Sequence, residues 1–291
     1  MNFFLAALLW GLSSLISSAW AADPERLALV QDERIDECSG LAFSSLTDDA
    51  VWMHNDSGGQ PRLFLVGQDG LTRSVCRIRS ADAVDWEDMC SFRMDDQSYL
   101  LIGDVGDNHV QRTKKKSPCT LYLLREPKPS IKETRNVEWD VRFRFEYEDG
   151  PHNCEGIAVD VERREILLLT KELPFTCGLY RLPLDIHVRE QNLTAKRIVR
   201  LQIPFATGLD ISRDGRLLAA VTMWDGWICQ RTAQQTWAEA LKASIQRIRV
   251  PARMQGESVC FSADGTYLLL SSEQKKQPVW RVPVPKRRVR H

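Results

Sequence analysis

The chain has 291 residues, 43% hydrophobic and 27% charged, enough apolar content for a large folded core. Lys plus Arg and Asp plus Glu each number 39, so the formal charge is zero and nucleic acid is not implied as a partner. The 8 cysteines include no Cys-x-x-Cys, which excludes the usual zinc and thiol-redox signatures and fits an oxidising compartment with disulfides.

An apolar run from Phe3 ends in Ala19-Trp20-Ala21 and gives way to the polar Ala22-Asp23-Pro24-Glu25. This pattern predicts a secretory signal peptide over 1–21, a mature chain starting near Ala22, and a secreted or periplasmic location. No Lys or Arg precedes the run, so a retained anchor is the alternative. The run is short and interrupted by serine, which argues against a stable membrane span after cleavage. The expected organisation is a signal peptide, a single domain over 22–285 and a basic tail over 286–291, in a monomer.

Leu27 to Ile35 is strand-like but belongs to no repeat. Five repeats follow, opening with Cys38-Ser39-Gly40-Leu41-Ala42-Phe43, Trp86-Glu87-Asp88-Met89-Cys90-Ser91, Cys154-Glu155-Gly156-Ile157-Ala158-Val159, Ala206-Thr207-Gly208-Leu209-Asp210-Ile211 and Gly256-Glu257-Ser258-Val259-Cys260-Phe261. Each reads as a buried strand followed by a polar turn, clearest in Ser212-Arg213-Asp214-Gly215 and Ser262-Ala263-Asp264-Gly265, and then by a second apolar strand, over Val51 to His54, Tyr99 to Ile102, Glu165 to Thr170, Leu217 to Thr222 and Tyr267 to Ser272. Two further strand-like stretches, such as Thr120 to Leu124 and Val137 to Tyr147 in the second, complete each unit except the fifth, which stops after Pro278 to Val284. Leu27 to Ile35 can complete that fifth sheet and close a ring, removing its open edges. The fold class expected is all-β: a β-propeller of five four-stranded blades, or six if the stretch from Lys114 to Arg135 hides a degenerate unit. A period near 3.6 occurs only around Thr236 to Ile245, so helix is expected to be scarce.

The starts of the innermost strands and the ends of the second strands should meet at one mouth of the central channel. Ser39 and Asp56, Glu87 and Asp104, Glu155 and Glu172, and Thr207 and Trp224 are each 17 residues apart, and Glu257 and Glu273 are 16 apart. Paired carboxylates therefore recur in units two, three and five. Crowded like charges require a cation, basic partners or protonation. Oxygen ligands favour a hard divalent ion, calcium first. The candidate metal ligands are Glu87, Asp104, Glu155, Asp56, Asp107, Asn108 and Glu257, densest in unit two, where Asp82, Asp85 and Asp88 add further acids. The structural alternative is that these acids cap strand ends and turns.

His54, His109 and His152 fall beside the same mouth and are the candidate general bases or acids. Lys171 and Glu172 could contact an anionic substrate or neutralise the rim, while Trp224 and Trp227 could form a stacking wall or fill space between blades. Cys119 with Cys177, on adjacent units, is a plausible disulfide. No Gly-x-Ser-x-Gly elbow occurs, so a serine hydrolase of that kind is not supported.

The segments Glu155-Gly156-Ile157-Ala158-Val159-Asp160, Asn55-Asp56-Ser57-Gly58 and Gly103-Asp104-Val105-Gly106-Asp107-Asn108 resemble motifs of secreted bacterial propellers of the phytase-like and regucalcin/gluconolactonase-like groups. That resemblance implies a divalent ion, calcium for preference, and hydrolysis of phosphate esters or lactones, with Glu155 as counterpart of a metal-binding glutamate. Two function classes follow: a divalent-metal-dependent hydrolase, and a non-catalytic propeller binding a small molecule or protein at its mouth.

Overall fold

The computed structural model describes residues 23–112, 117–130, 134–172 and 175–285. The signal segment, the basic triplet at 114–116 and the tail at 286–291 lie outside them. The strands run β1 (Glu25–Leu29), β2 (Cys38–Phe43), β3 (Ala50–Asn55), β4 (Arg62–Gly67), β5 (Thr72–Arg79), β6 (Trp86–Met94) and β7 (Gln97–Asp104). There follow β8 (Cys119–Arg125), β9 (Arg135–Glu138), β10 (Val141–Tyr147), β11 (Cys154–Asp160), β12 (Glu165–Thr170), β13 (Cys177–Pro183) and β14 (Glu190–Leu201). The last are β15 (Ala206–Ile211), β16 (Leu217–Thr222), β17 (Gly226–Gln230), β18 (Gln246–Ile248), β19 (Gly256–Phe261), β20 (Tyr267–Ser272) and β21 (Pro278–Pro283).

The chain is all-β around five antiparallel hairpins, β2–β3, β6–β7, β11–β12, β15–β16 and β19–β20. Local chemistry sets the turns. In the last two hairpins Ser212 and Ser262 each donate their hydroxyl to the aspartate two residues on, at 2.7 Å, while Gly215 and Gly265 take φ of 66° and 69°. Glycine meets that left-handed requirement without a Cβ penalty. β2, β6, β11, β15 and β19 touch in sequence and β19 returns to β2, so the innermost strands form a closed cycle.

Hydrogen bonding divides the strands into four sheets, of four, eight, four and five strands. β1 pairs antiparallel with β21 and supplies the strand the fifth unit lacks. The eight-stranded sheet arises because β14 is long: residues 196–201 pair antiparallel with β13, and residues 190–195 run parallel to β10. The stretch expected as one strand from Val137 to Tyr147 is split. β9 leaves to join β5 in parallel, and Trp139 turns inward beneath the guanidinium groups of Arg142 and Arg189 at 4.9 and 4.3 Å. The short helical period is present as α1 (Trp237–Ala243), closed at its start by a capping box between Thr236 and Glu239.

The register of every innermost strand slips at the same place, between Cys38 and Gly40, Trp86 and Met89, Cys154 and Gly156, Ala206 and Gly208, and Gly256 and Ser258. Ser39, Glu87, Glu155, Thr207 and Glu257 are thus bulge residues, and a bulge re-aims a side chain out of the ladder. Below them the axis is filled. Asp88, fully buried, accepts amide hydrogens from Met89, Ile157 and Leu209 at 2.8, 2.9 and 3.1 Å. Asp210 accepts from Phe261 at 2.7 Å, and burial pushes its carboxyl up to about 7.

All eight cysteines are buried free thiols, so the Cys119–Cys177 bridge expected from the sequence is not formed. Cys119 packs in the core cluster containing Phe143 and Cys154, whereas Cys177 faces a different one containing Leu201 and Trp237. The two cysteines stand in the same eight-stranded sheet, on β8 and β13, but pack into different core clusters.

A candidate cation-binding mouth

The bulge residues open onto one mouth of the ring. Ser39 donates its hydroxyl to the carbonyl of Glu87, and Thr207 donates to that of Gly256 at 2.8 Å. In units one and four the bulge side chain therefore locks onto the next unit, and in units two, three and five it is a glutamate facing the mouth.

Asp56, Asp85 and Glu87 converge, with one carboxylate oxygen from each lying within 4.8 Å of the others. Asp56 follows β3, Asp85 precedes β6 and Glu87 is the β6 bulge, so the set bridges two neighbouring units. Burial, then repulsion from Asp85, raises Asp56 to about 7. Burial, then Glu155, Asp56, Asp85 and Glu257, pushes Glu87 well above the usual carboxylate range. Asp85 is raised by burial too, despite attraction from Arg112. Gly106 completes the cradle: a Cβ there would collide with Glu87 Oε1 and lie 2.6 Å from Asp85 Oδ2. Three oxygen donors, with no nitrogen or sulfur among them, suit a hard divalent cation.

Asp85 was not among the ligands expected from sequence, although it belongs to the acidic run from Asp82 to Asp88 that marked unit two. The loop holding it is built by Asp104, which accepts the amides of Asp85 and Val84 at 3.0 and 3.4 Å. Asp104 is itself neutralised by the buried guanidinium of Arg112 at 2.7 Å. Asp107 accepts the amides of Gln111 and Arg112, both at 2.8 Å, and so fixes the segment that presents Arg112. Asn108 is exposed and accepts from Asn153 Nδ2 at 3.0 Å. Asp104, Asp107 and Asn108 are therefore occupied as supports of the cradle rather than joined to its carboxylates.

Glu155 is buried at the mouth, and its Oε1 accepts from Asn153 Nδ2 at 2.6 Å and Lys171 Nζ at 2.9 Å. Burial lowers Lys171, but attraction from Glu155, Glu87 and Glu257 outweighs it and leaves the ammonium raised. Glu257 rises to about 9 through burial and the neighbouring Glu273. Glu172 turns outward instead, where Arg200 and Arg197 hold it at 2.9 and 3.2 Å.

The three histidines do not gather at the carboxylates. His54 is fully buried, edge-on to Trp86 at a centroid distance of 5.1 Å, and burial lowers its imidazole to about 4. It pairs with Gly40 across the hairpin, where only glycine leaves room for the ring. His109 is exposed on the β7–β8 loop. His152 sits with Asp149 and Tyr180, its Nε2 2.9 Å from Asp149 Oδ1 and 2.9 Å from the Tyr180 hydroxyl, in the outward group with Glu172 and Arg197. Trp224 is 60% exposed on the rim and meets Phe205 edge-on at 5.5 Å. Trp227 packs in the unit-four core.

No family model matches the chain, and no curated protein matches it in sequence. Solved structures do. The PQQ-bound aldose sugar dehydrogenase of Streptomyces coelicolor is similar over 90% of this chain and 98% of its own, with TM-score 0.50 and 10% identity. The gluconolactonase XC5397 of Xanthomonas campestris covers 90% and 89%, with TM-score 0.45 and 11% identity. The β-propeller domain of Cps50 (Swd1) from Myceliophteria thermophila covers 81% and 66%, with TM-score 0.41 and 15% identity. The fold is a β-propeller. At such identities the likeness extends to the fold and no further. Among the described residues, no helix is long and apolar enough to cross a membrane.

Proposed function

We propose that the mouth binds a divalent cation, calcium by preference, through Asp56, Asp85 and Glu87, and that the protein is a cation-dependent hydrolase of carboxylic esters or lactones. The observation carrying this reading is the convergence of three raised carboxylates against Gly106, whose lack of a Cβ lets Glu87 and Asp85 approach. Three side chains cannot fill the six to eight positions calcium takes, so positions remain for substrate.

When bound, the ion supplies Lewis-acid polarisation of a carbonyl oxygen. The surrounding residues do the rest. Glu257, raised to about 9, holds a proton at neutral pH that it can donate to a departing oxygen. Lys171, anchored on Glu155, offers a fixed positive group at the mouth. Phosphate esters suit the mouth less well than neutral carboxylic esters, because surplus carboxylates repel a dianionic substrate.

A non-catalytic scaffold is the second reading, favoured by the placement of His54, His109 and His152 away from the carboxylates. In either reading we count the eight-stranded sheet as two blades joined by β10 and β14, giving five blades, and take the Phe3–Ala21 segment as the basis for export from the cytoplasm. Calorimetric titration of the mature protein with calcium tests the cation, and a panel of ester and lactone substrates with and without chelator tests the activity. Failure to bind calcium would sink the proposal; binding without turnover would leave the scaffold.

A further inference from the structure

The opposite mouth of the ring has a different chemistry. A cavity of about 300 Å³ opens there, at the small end of the range that holds small molecules. Each innermost strand contributes one apolar side chain to its wall, the most bulky being Phe43, Phe92 and Phe261, with Val159 and Ile211 between them. Asp210 lies at the floor, its carboxylate accepting the Phe261 amide hydrogen at 2.7 Å.

Arginines form the rim. Arg213, exposed in the turn after β15, reaches to Ser45 beyond β2 and donates to its hydroxyl at 3.1 Å, so it spans from the fourth unit to the first. Arg93 at the end of β6 is exposed on the same rim. Arg216 also lines it, paired with Glu162 at 3.4 Å. The remaining acid, Asp214, accepts from the Ser212 hydroxyl and the Arg216 amide within its own turn.

We propose that this funnel is a binding site for a small organic monocarboxylate with a compact apolar body, aromatic or short-chain acyl. The layering decides both class and orientation. Arginine pairs bidentately with carboxylate, so the anionic end belongs at Arg213 and Arg93. The five apolar side chains take the body of the ligand. Asp210 at the floor is taken up by the Phe261 amide and offers an anionic group no cationic partner, which leaves the single carboxylate outward. A cationic ligand meets the arginines first, and an inorganic anion leaves the apolar wall in contact with water.

The test is a titration of the mature protein with benzoate and hexanoate, followed by calorimetry and by ligand-observed NMR. Benzyl alcohol, benzylamine and inorganic phosphate serve as controls. Both carboxylates are expected to bind and the three controls to bind at least tenfold more weakly. Arg213→Gln combined with Arg93→Gln should weaken benzoate about tenfold or more, a loss of about 1.4 kcal/mol or more. Both arginines are exposed, so the double variant should keep the native circular dichroism. Arg247→Gln, an exposed arginine of β18 outside the funnel, should leave benzoate affinity unchanged. Absence of carboxylate binding, equal binding of benzyl alcohol or phosphate, or an unaffected arginine variant would each overturn the assignment.

Discussion

Asp88 Oδ2 accepts the amide hydrogen of Leu209 at 3.1 Å, joining strands 121 positions apart at the axis of the ring. The same oxygen takes the Ile157 amide, so one carboxylate ties the second unit to the third and fourth. Inner-edge amides have no neighbouring strand to pair with, and a buried unpaired amide costs about 1–3 kcal/mol. Asp88→Ala should therefore lower unfolding free energy by about 3 kcal/mol or more. Asp88→Asn, which keeps an oxygen for two of the three amides, should cost less. Urea unfolding of both variants measures this, and equal losses would remove Asp88 from its role as an axial tie.

Acidic pH should stabilise the calcium-free protein. The unfolded references are 3.8 for Asp56 and Asp210 and 4.5 for Glu257, against about 7, about 7 and about 9 when folded. Across that window the folded state holds protons that the unfolded state has released, so stability falls as pH rises. It is fullest below about 4 and lost as pH passes through about 7 and then about 9. Urea midpoints in chelator at three pH values should decline in that order, and a rising series would contradict the raised carboxyls.

Removing a carboxylate from the cluster should have opposite effects with and without calcium. Asp85→Asn and Glu87→Gln relieve repulsion, so each should raise the melting temperature in chelator. Each also removes a ligand, so calcium should add less stabilisation than the ~2.7 kcal/mol expected for the parent protein at one hundred times the dissociation constant. Melting curves in chelator and in calcium provide the comparison, and a loss of stability in chelator would count against the repulsion.

Gly106→Ala should spare the fold and damage the cation site. The added methyl points at Glu87 and Asp85, and over-packing of this kind costs about 1–3 kcal/mol. Calcium affinity should fall while circular dichroism stays native. An unchanged calorimetric titration would show that the cradle is not used.

Thiol labelling under non-reducing conditions should find none of the eight cysteines reactive in the folded protein and all eight in denaturant. Burial keeps the thiols protonated, with Cys38, Cys119 and Cys177 raised to about 12. Any mass shift smaller than eight adducts after unfolding would indicate a disulfide.

The hairpin pattern was legible because turn chemistry and apolar runs are local: β12, β16 and β20 have the boundaries expected from the sequence alone. The repeated positions 39, 87, 155, 207 and 257 were legible as equivalent, though not as bulges, since a bulge is a property of two strands together. Neutralisation was legible only in part, through Lys171 as a neutraliser of the rim. Arg112 and Lys171 reach Asp104 and Glu155 from loops whose course depends on Asp107 and Asn153. His54 failed by strand parity. It lies within β3 and turns into the core, whereas Asp56 lies past the end of β3, where strand alternation no longer applies, and reaches the mouth. Asp85 stands two residues ahead of the repeated position, where only Glu37 of the first unit is also acidic, so pairing by the 17-residue repeat passed over it.

The pairing of β1 with β21 sets an order of events. Residues 25–29 are made first and must wait for residues 278–283 before they find a neighbour. Contacts that distant in sequence form slowly, and until they form the edge of β21 is open to pairing with other chains. Until β21 has been made the ring stays an open arc, and no single hairpin can shut it.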